Sequence, residues 1–209
     1  MTRIIEKKHQ IAKQQFIKAL QELLLFDRWS LKLLEDTSLH CGFVKDYHYI
    51  LFPDGIREVM TLFEQYHDQQ MMRFEAQEGG QLRVREKIAI LLSTRIKNMQ
   101  KLVHIKNNAY FILPENMLFA IKLAWNSCDI IWHYVGDTSI DFNYYTKRGL
   151  LVSVYLSSIL FYISDESENS IDTDEFIKNS LENVINIAKL KKLCRLPELS
   201  SIPILRLFS

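Results

Sequence analysis

An all-α fold is predicted by three features of this 209-residue chain. Apolar residues recur at helical spacing almost throughout, strand-like alternation is absent, and only six glycines and four prolines punctuate the pattern. With 48% apolar residues, the chain is long enough for one domain with a sizeable core, or for one domain and a small appendage. No internal repeat is visible.

The first helix is expected over residues 6–26, with Ile11, Phe16, Ala19, Leu20, Leu23 and Leu24 as its apolar stripe. Two shorter helices follow, near 30–39 and 45–51, separated by His40-Cys41-Gly42-Phe43, which is the spacing of a helix-turn-helix. Phe52-Pro53-Asp54-Gly55 ends that unit, and a fourth helix runs to about Phe74. Gly79-Gly80 is a turn. Ile88, Leu91, Leu92, Ile96, Met99, Leu102 and Val103 then predict one amphipathic core helix over 84–105. Pro114 opens the next helix at its first position, and Gly136 ends it. Thr138 and Asp141 have the T-x-x-D spacing of a capping box, placing Asp-Phe-Asn-Tyr-Tyr-Thr-Lys-Arg on the first turns of a new helix. Residues 164–175, with six carboxylates and no base, are expected to form a solvated loop. A last amphipathic helix covers about 173–196, and Pro197 and Pro203 break up the tail.

The net charge of +1 offers no long-range steering toward nucleic acid or an anionic membrane, so any such partner must be met by a local patch. Cys41, Cys128 and Cys194 are odd in number and far apart, which fits free thiols in a reducing compartment and predicts a cytoplasmic protein. The first residues lack the apolar core of a secretory signal and the Ser-rich, acid-free composition of a transit peptide. The longest nearly apolar run, 150–163, is shorter than the roughly 20 residues a bilayer needs. It reads as a buried helix, and the small Ser153 and Ser157 at i, i+4 would let a helix of a second subunit approach closely, so a homodimer is expected.

Chemistry-bearing patterns are sparse. Asp129 and His133 lie at i, i+4 but lack the paired Glu-x-x-His motifs and extra carboxylates of a di-iron bundle, and no nucleophile elbow, phosphate loop or dinucleotide glycine pattern occurs. The reading is of a protein without catalytic residues, metal or cofactor. Duplex DNA is disfavoured as well. Over residues 30–60, Lys32, Lys45 and Arg57 stand against Glu35, Asp36, Asp46, Asp54 and Glu58, three bases to five acids for a local charge of −2, whereas phosphate neutralisation needs the opposite sign.

The stretch WNSCDIIWHYVGDTSIDFNYYTKR, residues 125–148, holds aromatic and charged residues where core packing does not demand them. Gly136, Asp137, Ser139, Asp141, Asn143, Tyr145, Thr146, Lys147 and Arg148 match the signature G-D-x-S-x-D-x-N-W-Y-T-K-R, with Tyr144 where a tryptophan is usual. This resembles the coenzyme Q biosynthesis protein nine family, lipid-binding accessory proteins of ubiquinone synthesis. WSLKLLEDTSLHCGF and YHYILFPDG are similar to the opening elements of TetR-type proteins, and KIAILLSTRIKNM and PENMLFAIKLAWNSCDIIWHYVGD look like the family's later helices.

The resemblance implies a TetR-like helical bundle: a helix-turn-helix-like region over 1–78, lipid-binding and dimerisation helices over 79–196, and an apolar tail over 197–209. It implies presentation of a polyprenyl-quinone intermediate to a di-iron hydroxylase. The alternative from the fold is a TetR-type DNA-binding regulator with a hydrophobic ligand. Leu118, Ile121, Trp125, Trp132, Leu151, Val154, Tyr155 and Ile159 would enclose an apolar cavity for an isoprenoid or phospholipid. The hydroxylase would meet Ile131, Tyr134, Asp141, Tyr144, Tyr145 and Arg148; since neighbours on a helix point about 100° apart, one of the two tyrosines is expected inward and the other outward. Lys178, Lys189, Lys191, Lys192 and Arg195 against Glu182 give residues 177–196 a charge of +4, and Ile202, Ile204, Leu205, Leu207 and Phe208 follow, so peripheral membrane contact is expected there.

Overall fold

The computed structural model describes residues 2–78, 82–140 and 142–193. Among them run helices α1 (Thr2–Leu23), α2 (Leu31–His40), α3 (Tyr47–Leu51), α4 (Ile56–Glu78), α5 (Val84–Lys97), α6 (Lys101–Phe111), α7 (Pro114–Tyr134), α8 (Phe142–Ser164) and α9 (Ile171–Leu193), with a 3₁₀ turn at Glu168–Ser170 and no strand. The all-α reading holds. The tail over 197–209, Asp141 and Cys194 lie outside the described residues, as do the side chains of 187–193.

The N-terminal unit forms as its sequence dictates. The Ser30 hydroxyl caps α2 by accepting from the Leu33 amide at 3.2 Å. Gly42, at φ +77°, turns the chain out of α2. Phe16, Leu20 and Leu24 of α1 bury against Leu33, Leu34, Leu51 and Phe52, whereas Ile11, expected in that stripe, is exposed and Ala12 and Ile17 take the inner positions.

The long helix α4 carries Val59, Met60 and Phe63 into this first cluster and Met71 into a second one. That second cluster is built by α5, α7, α8 and α9, with Leu91, Leu92, Cys128, Ile131, Leu151, Tyr155 and Ile177 at its centre. Met99 and Val103, beyond the expected domain border at residue 78, belong to the first cluster.

The single helix expected over 84–105 is two helices. Asn98 closes α5, and Gln100 is extended (ψ 148°) ahead of α6. The His104 ring, through Nε2, reaches the Ile96 carbonyl at 2.9 Å and so satisfies a helix end left without an intrahelical partner. The break shifts the phase: Val103 turns inward and Leu102, expected in the core, is exposed.

Two further expectations are corrected. Thr138 does not cap α8, which begins at Phe142; residues 137–140 form a non-helical strap, tied down by Asp137. The acidic segment exposes Glu166, Glu168, Asp172 and Glu175 as expected, but it is helical from Ile171 and two of its acids are engaged. Asp165 is buried and accepts from the Ser167 amide at 2.8 Å, the Thr173 amide at 3.0 Å and both hydroxyls, capping α9. Asp174 accepts from Ser93 and pairs with Lys97 at 2.8 Å.

Candidate functional site: the α7–α8 clamp

Helices α7 and α8 meet antiparallel through the Gly136 turn, where φ of +86° requires glycine's freedom. This turn brings Asp129 and Asp137 to face Lys147 and Arg148. Arg148 is fully buried. Its Nε donates to Asp129 Oδ1 and its Nη1 to Asp137 Oδ2 at 3.0 Å. Lys147 Nζ donates to Asp137 Oδ1 at 2.6 Å and to Ser139 Oγ at 2.8 Å, while Ser139 donates to the same carboxylate at 2.8 Å. Trp132 Nε1 donates to the Lys147 carbonyl at 3.2 Å. Burial pushes the Asp137 carboxyl up, but the hydrogen bonds from Lys147, Ser139 and Arg148 outweigh it and hold it well below the ordinary carboxylate range. At Asp129 burial is likewise overcome by Arg148 and Tyr144, and its pKa falls. The cluster is thus a fully ionised, hydrogen-bonded lock that fixes how α8 leaves α7.

Above the lock lie the aromatic side chains. The Tyr144 hydroxyl donates to Asp129 Oδ1 at 3.0 Å, and the Arg148 guanidinium sits 3.5 Å from its ring centroid. Tyr144 is therefore half-buried and committed, while Tyr145, with ring centroids 5.1 Å apart, is 63% exposed. The inward and outward split expected of the two phenols is what the helix delivers. Trp125 packs 6.3 Å from Tyr145.

Of the six residues expected at a partner surface, Tyr134 and Tyr145 are exposed and Tyr144 is half-buried. Ile131 and Arg148 are corrected: Ile131 sits in the second core cluster and Arg148 in the lock, both with no accessible surface. Asp141 lies outside the described residues. What sequence reasoning missed is Asp129 as the second anion for Arg148; its placement at i, i+4 with His133 drew attention to a metal instead. The His133 ring is exposed, 3.3 Å from Asp129 Oδ1. Among the described residues no group of three His, Cys, Asp or Glu is placed to hold a metal ion. Cys41 and Cys128 are free thiols, and burial pushes both up in pKa.

The eight residues expected to line an apolar cavity do not converge. Leu151, Val154, Tyr155 and Ile159 are packed in the second core cluster, with Trp125 and Trp132 on its margin. Leu118, at 80% exposure, and Ile121 face out from α7, because a helix with apolar residues on several sides buries only one of them. A larger concavity, about 760 Å³, lies instead between α5 and α9, lined by Leu82, Ala89, Ile90 and Leu181 together with three bases, Arg85, Lys97 and Lys178, and three acids, Glu86, Asp174 and Glu182. A second, about 430 Å³, lies beside α4 at Asp68, Met72 and Ile130. None of the eight lines either one.

The architecture matches a class of proteins with an N-terminal helix-turn-helix: a TetR transcriptional regulator from Nitrosomonas europaea superposes with a TM-score of 0.64 over 83% of this chain and 98% of that one, at 17% identity. The chain has a TetR-like fold. Within it, residues 117–188 match the COQ9 family model, a span that contains the entire signature and its lock. The likeness to the ubiquinone-synthesis family that the signature announced is thereby shown for α7, α8 and most of α9. A probable ubiquinone biosynthesis protein coq9, mitochondrial, of Dictyostelium discoideum is 32% identical over 109 residues, 51% of this chain and 36% of that protein. The Homo sapiens ubiquinone biosynthesis protein COQ9, mitochondrial, is 35% identical over 81 residues, 39% of this chain and 26% of that protein. The Drosophila melanogaster protein of that name is 23% identical over 144 residues, 66% and 44% of the two lengths. The chain spans less than half the length of these relatives.

Proposed function

We propose that this chain is a non-enzymatic, lipid-binding accessory protein of ubiquinone biosynthesis that presents a polyprenyl-quinone intermediate to a di-iron hydroxylase. The observation that carries the reading is the Asp129–Arg148–Asp137 lock inside the segment matching the COQ9 model, because its geometry spends the charged residues internally and leaves Tyr145 projecting. An outward phenol backed by Trp125 is the kind of rigid aromatic anchor that dominates protein interfaces. Tyr134 extends the same reading to the end of α7.

The lipid is best served by the groove between α5 and α9, whose apolar walls suit an isoprenoid or acyl chain at about 0.8 kcal/mol per buried CH₂. The exposed α7 surface at Leu118 and Ile121 offers further apolar contact. A homodimer would cover the outer strip of α8. There Leu156 and Leu160 are exposed, and the Ser153 and Ser157 hydroxyls are satisfied by their own helix, at 2.7 Å to Leu150 O and 3.0 Å to Val154 O. Among the described residues no helix is long and apolar enough to cross a membrane, which suits peripheral contact at a membrane face. The TetR-like fold would equally suit a DNA-binding regulator, but residues 30–60 carry five acids to three bases.

Co-purification of the hydroxylase with the full chain tests the reading: Tyr145→Ala is expected to lose the partner with helical circular dichroism intact. Native mass spectrometry of gently extracted protein is expected to find a bound isoprenoid or phospholipid. Undiminished capture together with an empty protein would overturn the proposal.

A further inference from the structure

The turn between α6 and α7 is an apolar tip. Ile112 and Leu113, the two residues that join the helices, are exposed, and Met117, Leu118 and Ile121 follow them outward on α7, with Ile112 at 78% and Leu118 at 80% exposure. Their adjacency follows from the backbone. Leu118 and Met117 stand three and four residues before Ile121, the spacings that set side chains next to each other on one helix face. The Asn116 amide donates to the Leu113 carbonyl at 2.9 Å, and its Nδ2 donates to the Tyr110 carbonyl at 3.1 Å, so the first turn of α7 is stitched to the last turn of α6. Behind them the Phe111 and Phe119 rings meet at 6.2 Å. Ile112 and Leu113 are thereby held beside Met117 and Leu118.

Three properties fit this tip to a lipid surface. The first is its backbone. Polypeptide enters the hydrocarbon boundary only with its polar groups satisfied internally, and here the Ile112 amide donates to the Asn108 carbonyl at 2.9 Å, the Leu113 carbonyl is taken by Asn116, Pro114 has no amide hydrogen, and the Glu115 carbonyl accepts from Arg57 Nη2 at 3.0 Å. The second is composition: the exposed side chains are aliphatic, whereas protein interfaces draw their anchoring energy from tryptophan, tyrosine and arginine. The third is charge. At 1.5 Å per residue, Lys106 stands about 9 Å behind Ile112 and Lys122 about 6 Å behind Leu118, which matches the roughly 5 to 10 Å to which an apolar face sinks between headgroups and acyl chains. The lysine ion pairs among the described residues engage Lys13, Lys45, Lys97 and Lys147, not these two. Glu115 is the acid of the turn; helical rotation sets it on the Lys122 flank, off the Met117, Leu118 and Ile121 face. With the adjoining start of α4 included, Lys13, Arg57, Lys106 and Lys122 stand against Asp54, Glu58 and Glu115, so the rim keeps a net positive charge.

We propose that the α6–α7 turn is the element that dips into a membrane surface. Ile112, Leu113, Met117 and Leu118 enter the acyl-chain boundary, and Lys106 and Lys122 extend to the phosphate headgroups. Among the described residues no helix is long and apolar enough to cross a membrane, so the contact is shallow. This rests on the peripheral membrane contact proposed above and assigns it to a surface other than the C-terminal tail.

The test is flotation of the full chain with vesicles of phosphatidylcholine alone and with about one third phosphatidylserine. Wild type is expected to bind both, and to bind the charged vesicles more tightly by an excess that salt removes. Ile112→Asp/Leu118→Asp lowers partitioning into both vesicles about tenfold, whereas Lys106→Glu/Lys122→Glu removes only the excess on the charged ones. Val44→Asp, exposed on the N-terminal unit, leaves binding unchanged, and circular dichroism verifies that each variant is folded. In Leu118→Trp, lipids brominated along their acyl chains quench the fluorescence beyond the quenching of wild type. Wild type that binds neither vesicle overturns this proposal together with the peripheral contact beneath it. Binding that survives Ile112→Asp/Leu118→Asp overturns the assignment of the surface alone. So does a dimer in solution that this variant breaks up while its flotation stays that of wild type.

Discussion

The Arg148 guanidinium lies 3.5 Å from the centroid of the Tyr144 ring, and both side chains converge on the Asp129 carboxylate. Stacking and hydrogen bonding therefore act on the arginine together, and the signature's tyrosine and arginine function as one unit across the α7–α8 turn.

Removing the arginine leaves two carboxylates facing each other without their shared cation. Arg148→Ala is expected to destabilise the fold by about 3 to 5 kcal/mol, which lowers the melting temperature by on the order of 10 °C. Differential scanning calorimetry of the variant beside wild type checks this; a melting temperature unchanged would mean that the lock carries no stability.

The two adjacent phenols separate structure from recognition. Tyr144→Phe loses the bond to Asp129 and is expected to cost about 1 kcal/mol, whereas Tyr145→Ala changes stability by less than about 0.5 kcal/mol. Urea midpoints measured on both variants resolve the difference. Equal losses would contradict the committed and free roles assigned to them.

Much of this was legible in the chain. Helical spacing gave the bundle, Pro114 and Gly136 bracketed α7, and the adjacency of tyrosines 144 and 145 implied that one would turn inward and the other outward. The failures share a cause: a helical pattern reveals that a face is apolar, not which neighbour covers it. Leu118 and Ile121 look the same in sequence as Ile131, yet only the latter is buried in the cluster that α4 and α8 help to build. The break at Asn98 was hidden because the Ile96 carbonyl ahead of it is met by the His104 ring, a partner no local rule supplies. Arg148 read as a surface residue because Asp129, nineteen positions earlier, becomes its neighbour only through the turn.

Acid should weaken the lock through its carboxylates, Asp137 among them. The folded pKa of Asp137 lies below the value of about 3.9 for an unfolded aspartate. The stability it contributes is thus fully present above that value and is lost as pH falls toward its folded pKa. Asp129 and Asp165 shift in the same direction. Denaturant midpoints should therefore fall steeply below about pH 5, and Asp137→Asn should have a lower midpoint at neutral pH with a shallower acid limb. A parallel acid limb in the variant would refute the assignment.

A second, milder pH dependence arises from buried imidazoles. Burial, reinforced by the charge of Arg95, lowers His67 to about 2, and burial lowers His104 to about 4 despite its bond to the Ile96 carbonyl. Unfolded histidine takes up a proton near 6.5, so both groups contribute stability above that pH that drains away as pH falls through 6 and 5. His67 packs 4.7 Å from Phe63, and among the described residues neither of its nitrogens has a hydrogen-bond partner. His67→Phe is expected to flatten the stability profile between pH 7 and 5, as read from urea midpoints; a profile superimposable on wild type would count against it.

The first apolar cluster recruits Met99 and Val103, and the Trp29 indole donates to Asn107 at 2.6 Å, with Asn107 passing a second bond to Glu64 at 3.2 Å. The front half is thus completed by later residues, with Asn107 lying 78 positions beyond Trp29. Synthesis must deliver α6 before the packing of the opening helices is complete. Any shortened gene product ending ahead of that point would present Trp29, Phe63 and their neighbours as bare oil to the surrounding solution.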